Sequence, residues 1–269
     1  MSFTIEHLQT DGGIVVGNPG RLPQTVGLKF WTRQIGPMSS GGSLEQLEEL
    51  FTAGSNRPTR HFGSLRRLKT DTPYLNTLSK HYHALRPLRI ILDSACQPII
   101  DYLKKLTQPV NCKVVTCRTT PERLAERVRD TKAHFAVQVE GDGETCEVYD
   151  EQGRLVCNDR LLLLIARQIL DGNAGETFVL ENNTASSVSE RLTALGARIE
   201  KNAPSRETMH RAISGSSARF GGGPSGRFWY TIGNTIAPDA LMTLTLLLQA
   251  MSQSDRTLSL VLDVDAQLP

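Results

Sequence analysis

An α/β fold with mixed sheets is what this sequence predicts, on three observations. Strand-like and helix-like stretches alternate from one end to the other, and the strands after residue 87 are short, continuous apolar runs. Proline, glycine and hydroxyl residues punctuate the junctions between them. The 269 residues are enough for two or three domains of roughly 100–150 residues each. With 39% hydrophobic and 22% charged residues, the chain has the composition of a globular protein.

Residues 13–16 and 27–31 read as short buried strands around a Gly/Pro-rich loop, 17–23. Residues 43–51 read as a helix, with Ser43 and Gln46 at capping-box spacing and Gly54 just past its end. From 55 to 73 the chain is polar and broken by Pro58, Gly63 and Pro73, which predicts a loop. A second unit opens near Pro87: a strand at 88–92, a helix at 97–106 and a strand at 113–117. Pro121 then stands in the first turn of a charged helix. Strands at 135–139 and 146–149 flank an acidic glycine turn. An apolar helix at 154–170 opens a third unit, followed by a strand at 177–181 and a helix capped by Ser187 and closed by Gly196. A strand at 227–232 and a mostly apolar helix at 239–251 complete the series.

A formal charge of +2 is too mild for a nucleic-acid partner, which needs clustered Lys and Arg. Arg57, Arg60, Arg66, Arg67 and Lys69 do cluster, and read as a solvated loop. The longest apolar runs fall far short of the ~20 residues that span a bilayer, and residues 1–9 lack the features of a signal peptide. Five cysteines without a CxxC pair leave an odd thiol, which argues for a reducing compartment. No nucleic acid, no membrane and a cytoplasmic location are therefore expected.

The sharpest local motif is Glu140-Gly-Asp142-Gly-Glu144. Carboxylates at alternate positions, with glycines allowing a tight backbone, can turn three oxygens toward one hard divalent cation. A plain acidic β-turn has the same composition, so the spacing leaves both readings open. DGGIVV at 11–16 with GLKF at 27–30, and FGGGPSGR at 220–227, are two further glycine-containing stretches.

Taken in order, these segments resemble the α-D-phosphohexomutases, the phosphomannomutase/phosphoglucomutase family. DGGIVV…GLKF is similar to the family's GGI(V/M)-TASHNP…NG(L/I)KF. HFAVQVEGDGETCEVYDEQGRLV at 134–156 is similar to the segment holding its DGDGDR metal loop. NDRLLLLIARQIL at 158–170, RFGGGPSGRFWY at 219–230 and the stretch 231–262 resemble its third domain, including the GGE-SGH sugar loop.

The resemblance implies three-layer α/β/α domains: a partial first domain with linker at 1–86, a second at 87–152 and a third at 153–269, with the fourth absent. Family members move a phosphoryl group between the C1 and C6 oxygens of a hexose phosphate through a serine-borne phosphate beside a divalent cation. Here the serine position falls on Pro19, which has no hydroxyl, while Lys29 matches the family's catalytic lysine. Glu140, Asp142 and Glu144 stand at the metal positions, and the longer glutamates imply weakly held Mg2+. In the sugar loop Ser225 and Gly226 match, the glutamate falls on Gly223 and the histidine on Arg227, leaving Ser225, Gly226 and Arg227 as candidate substrate contacts. The expectation is a catalytically degenerate protein binding hexose phosphate. The alternative is an altered phosphotransferase, active alone or complemented by another chain. A partner chain or a second copy is expected to cover the incomplete first domain.

Overall fold

The computed structural model describes residues 1–17, 25–34, 36–54, 61–171, 173 and 175–267. The chain begins with helix α1 (Ser2–Leu8) and strands β1 (Gly12–Gly17), β2 (Gly27–Thr32) and β3 (Gly36–Pro37), which form an antiparallel sheet in that order. Gly12 pairs with Thr32 and Gly17 with Gly27, so Ile14, Val16, Leu28 and Phe30 share one face. That face differs from the buried strands predicted. Ile14 is 60% exposed, Val16 66% and Leu28 54%, because no element among the described residues packs over it. The opposite face sends Trp31 into a small core with Ile5, Met209, Ile213 and Trp229.

Helix α2 (Ser43–Ala53) ends at Gly54 as predicted, but Gly42 rather than Ser43 precedes its first turn. The Ser43 hydroxyl donates instead to Glu207 Oε2 at 2.7 Å, which removes it from capping. Of the predicted loop at 55–73, residues 55–60 lie outside the described set. Helix α3 (Asp71–Ser79) then holds Pro73 in its first turn, where a missing N–H breaks no helical bond.

The second sheet is built from β4 (Arg89–Ser94), α4 (Gln97–Thr107), β5 (Lys113–Cys117), α5 (Pro121–Thr131), β6 (Phe135–Val139) and β7 (Cys146–Tyr149). Its order is β5-β4-β6-β7, with β4 parallel to β5 and β6 and with β7 antiparallel. Alternation along β4 explains its helical layers: Ile90 and Leu92 face Leu103 of α4, while Ile91 faces Leu124 and Val128 of α5. Full burial of each such side chain contributes about 1.5–3 kcal/mol.

The third sheet is built from α6 (Asn158–Leu170), β8 (Thr177–Glu181), α7 (Ser186–Ala194), β9 (Arg198–Asn202), α8 (Arg206–Ser216), β10 (Phe220–Gly222), β11 (Trp229–Ile232), β12 (Thr235–Pro238), α9 (Ala240–Ser252) and α10 (Leu258–Gln267). Its order is β12-β11-β10-β8-β9, parallel across β10, β8 and β9 and antiparallel toward β12. Phe178 and Leu180 share the main core with α6 and α9, while Val179 faces Met209 and Ile213 of α8. Helix α6 starts at Asn158; residues before it stay extended, with Val156 N donating to Val148 O at 2.8 Å. Ala185, not Ser187, precedes α7. Asp239 caps α9, accepting from the N–H groups of Leu241 and Met242 at 2.9 Å.

Residues after α3 tie the first segment to the rest. Tyr82 bonds Thr245 of α9 at 3.1 Å, and Arg86 Nε donates to Met251 O at 2.6 Å. No helix among the described residues is long and apolar enough to cross a membrane.

Candidate functional site

The β6–β7 turn carries Glu140, Asp142 and Glu144. Gly143 adopts φ +73° there, a conformation that a side chain would strain, and its N–H closes the turn onto Glu140 O at 3.0 Å. Asp142 Oδ1 accepts from the Glu144 N–H at 2.9 Å, which locks the aspartate over the turn. The β10–β11 loop lies alongside: Thr145 bridges to Arg227, and Cys146 N donates to Gly226 O at 3.4 Å. The acidic turn and the glycine-rich loop, distant in sequence, are thus one surface.

Glu144 is the hub. Its Oε1 accepts from Arg206 Nη2 at 2.6 Å, and its Oε2 lies 3.3 Å from Lys29 Nζ and 3.6 Å from Arg227 Nε. The last two contacts pair charge without hydrogen-bond geometry. Lys29, reaching from β2, also pairs with Asp142. Burial alone would raise the Asp142 carboxyl. The Lys29 hydrogen bond, the Glu144 N–H and the charges of Lys29 and Arg227 outweigh it and hold the group below its ordinary range. Arg206 stands at the first position of α8, whose N-cap Ser205 accepts from Thr208 N, and its guanidinium lies 5.9 Å from the Trp31 ring centre.

The sugar-loop residues are held from below by Glu181, at the end of β8 and only 1% exposed. Ser225 donates to it through both its hydroxyl and its N–H, the latter at 3.0 Å. Gly223 permits this approach: a Cβ there would stand 2.6 Å from Glu181 Cβ. The Glu181 carboxylate therefore fills the space beside the loop that a side chain at 223 would need.

Two openings flank the cluster. Lys29, Asp142 and Glu144 line a cavity of about 250 Å³ with Trp31, Tyr74 and Tyr102. Glu140 lines a separate cleft of about 750 Å³ with Asp93, Ser94, Arg118, Asn158, Ser225 and Arg227. This cleft sits past the carboxyl ends of β4 and β6, where sheets whose strand order reverses commonly bind ligands.

Among the described residues the predicted metal set is divided between the two openings. Glu140 is directed to one opening and Asp142 and Glu144 to the other, and no three metal-ligating side chains gather among the described residues. Three cations already hold the two carboxylates, so the residues present do not fit Mg2+. Lys29 and Arg227 do meet at Glu144, whereas the Ser225 hydroxyl is committed to Glu181. Pro19 lies outside the described residues. Ser39 accepts from Glu207 N at 3.4 Å, so it is engaged away from Lys29. Arg206 and Glu181 were not singled out by the sequence: Arg206 stands beside Glu207 in the polar stretch 202–209, which lacks the family's polar anchor, and Glu181 ends an apolar strand.

An α/β protein of layered mixed sheets, with an acidic turn, a glycine-rich loop and a lysine meeting at one junction, is the class that fold and site define. No family model matches the chain. It is 26% identical to a probable phosphoglucosamine mutase of Methanothermobacter thermautotrophicus over 67% of this chain and 42% of that protein. With the phosphoglucosamine mutase of Deinococcus radiodurans it shares 24% identity over 100% of this chain and 63% of the relative.

A phosphoglucomutase/phosphomannomutase family protein from Burkholderia thailandensis superimposes with TM-score 0.83 at 18% identity, covering 93% of this chain and 58% of that one. The N-acetylphosphoglucosamine mutase of Aspergillus fumigatus, solved with GlcNAc-6P and magnesium, gives TM-score 0.56 at 15% identity over 72% of this chain and 49% of that one. These likenesses in sequence and fold support an α-D-phosphohexomutase-family assignment. It spans less than two thirds of the length of these relatives.

Proposed function

We propose that this chain binds hexose phosphates as a catalytically degenerate phosphohexomutase, acting as a sugar-phosphate-binding or regulatory module of carbohydrate metabolism. The observation that carries the reading is the cleft beside the acidic turn. At about 750 Å³ it falls in the range of small-molecule sites, roughly 300–1,000 Å³. Its lining suits a polyhydroxylated anion: Arg118 and Arg227 face phosphate oxygens, while Asn158, Glu140 and Asp93 offer partners for sugar hydroxyls. Each of the proposed units, 1–86, 87–152 and 153–269, contributes to the junction through Lys29, the acidic turn and Arg227 respectively.

Degeneracy rests on the nucleophile position, where Pro19 offers no hydroxyl to carry a phosphoryl group. Five free thiols support a reducing compartment such as the cytoplasm. A second reading, an altered phosphotransferase, is favoured by the contact between Lys29 and Asp142, two positions that match the family. Calorimetric titration with glucose 1-phosphate, glucose 6-phosphate, glucosamine 6-phosphate and free glucose tests the binding. Saturable heat for the phosphates, weakened in Arg227→Gln and absent for glucose, is expected; no heat for any phosphate refutes the reading.

A further inference from the structure

We propose that Lys29, Arg206 and Arg227 stand in for a divalent cation, so that the cleft takes its phosphate monoester without metal. This deepens the proposed function and rests on its reading of the cleft.

The cluster holds three positive side chains against the two carboxylates Asp142 and Glu144, a net charge of 3 − 2 = +1. A divalent cation placed there would raise that to +3 in surroundings where the Glu144 and Arg206 side chains are only 11% and 12% exposed. It would also have to break the 2.6 Å Arg206–Glu144 bond. Both arginines are fixed from outside the cluster, Arg206 by its place on α8 against Trp31 and Arg227 by its bridge to Thr145. Their Nε atoms are buried without a hydrogen-bond partner among the described residues. The cluster therefore holds positive charge in excess of its carboxylates, which suits an oxyanion rather than a second cation. Arg227 connects the two places, since it faces Glu144 through Nε and lines the cleft. Neutralising the acidic turn from within removes the repulsion that two bare carboxylates would exert on an arriving phosphate.

The test uses the full chain. Mn2+ binding is followed by electron paramagnetic resonance, and glucose 6-phosphate and inorganic phosphate binding by calorimetry with EDTA or with added Mn2+. The wild-type protein should leave Mn2+ free up to about 1 mM, and its phosphate affinity should be the same with EDTA as with Mn2+. Lys29→Met combined with Arg206→Met turns the net charge to −1 and should create Mn2+ binding that Asp142→Asn abolishes, while Arg206→Gln alone gives a smaller gain.

Wild-type binding of Mn2+ that is lost in Asp142→Asn overturns the proposal, and so does phosphate binding that requires metal. If hexose phosphate binds only with Mn2+, the proposal fails and the sugar-phosphate reading stands. If no phosphate binds under any condition, the sugar-phosphate reading fails and with it the metal-free site.

Discussion

Replacing Glu144 by glutamine keeps the size of the side chain and removes the one charge shared by Lys29, Arg206 and Arg227. Exposure sets the magnitude. Glu144 and Arg206 retain 11% and 12% of their side-chain surface, so their contact behaves as a buried pair. Removing one partner of such a pair costs about 3–5 kcal/mol, because the other charge is left buried alone. Lys29 and Arg227 are wetter, at 29% and 21%, and Lys29 keeps Asp142. The low end, about 3 kcal/mol, is therefore expected.

For a chain of this size that corresponds to a fall in melting midpoint of about 6–12 °C. Urea unfolding followed by far-ultraviolet circular dichroism and by tryptophan fluorescence measures it, with Trp31 beside Arg206 as the local reporter. The exposed Arg160–Asp263 pair is the control: Asp263→Asn should change stability by less than about 0.5 kcal/mol. A Glu144→Gln loss no larger than that control would refute the claim that this cluster is a buried hub.

Three further outcomes follow from the same geometry. Ser225→Ala removes one of the donors to the buried Glu181 carboxylate and should cost about 1.5–3 kcal/mol in denaturant unfolding. Gly223→Ala places a Cβ 2.6 Å from Glu181 Cβ and should cost about 1–3 kcal/mol; Glu181→Gly in the same chain removes that Cβ and should recover part of the loss. His210, packed edge-on against Trp31 with ring centres 5.5 Å apart, has its imidazole pushed down to about 4 by burial. Its folded value lies below the unfolded one, so its neutral form contributes stability above an unfolded value of about 6.5. That contribution, at most about 3 kcal/mol, is lost as pH falls toward the folded value. Proton resonance titration of His210 should show the low midpoint, and His210→Leu should flatten the slope of stability between those pH values.

The second sheet and the first strand of the third were legible because continuous apolar runs between turn residues leave little choice. β5, β6, β7 and β8 begin and end where the sequence reading put them. Strand β9 and helix α8 were not legible. RIEKN is mostly polar at the end of its sheet, and RETMHRAISGS buries only a narrow stripe. Ser43 failed as a cap signal because a buried carboxylate from α8, Glu207, competes for its hydroxyl. Ile14 and Val16 carried a strand pattern correctly but said nothing of what covers them. In the site, the order of motifs brought Lys29, the acidic turn and Arg227 into one expectation, and they do meet. Spacing within Glu140–Glu144 suggested a shared cation, yet the cations Lys29 and Arg206 come from elements far away in sequence. Nothing local announces Arg206 or Glu181; only the fold brings them to the junction.

Phosphorus magnetic resonance on the full chain with glucose 1-phosphate, trace glucose 1,6-bisphosphate and Mg2+ tests binding and turnover in one sample. Broadening of the 1-phosphate line, with no 6-phosphate line emerging above a protein-free blank, is the result expected. Steady growth of the 6-phosphate line would contradict the account, and a 1-phosphate line as sharp as in the blank would remove its ligand.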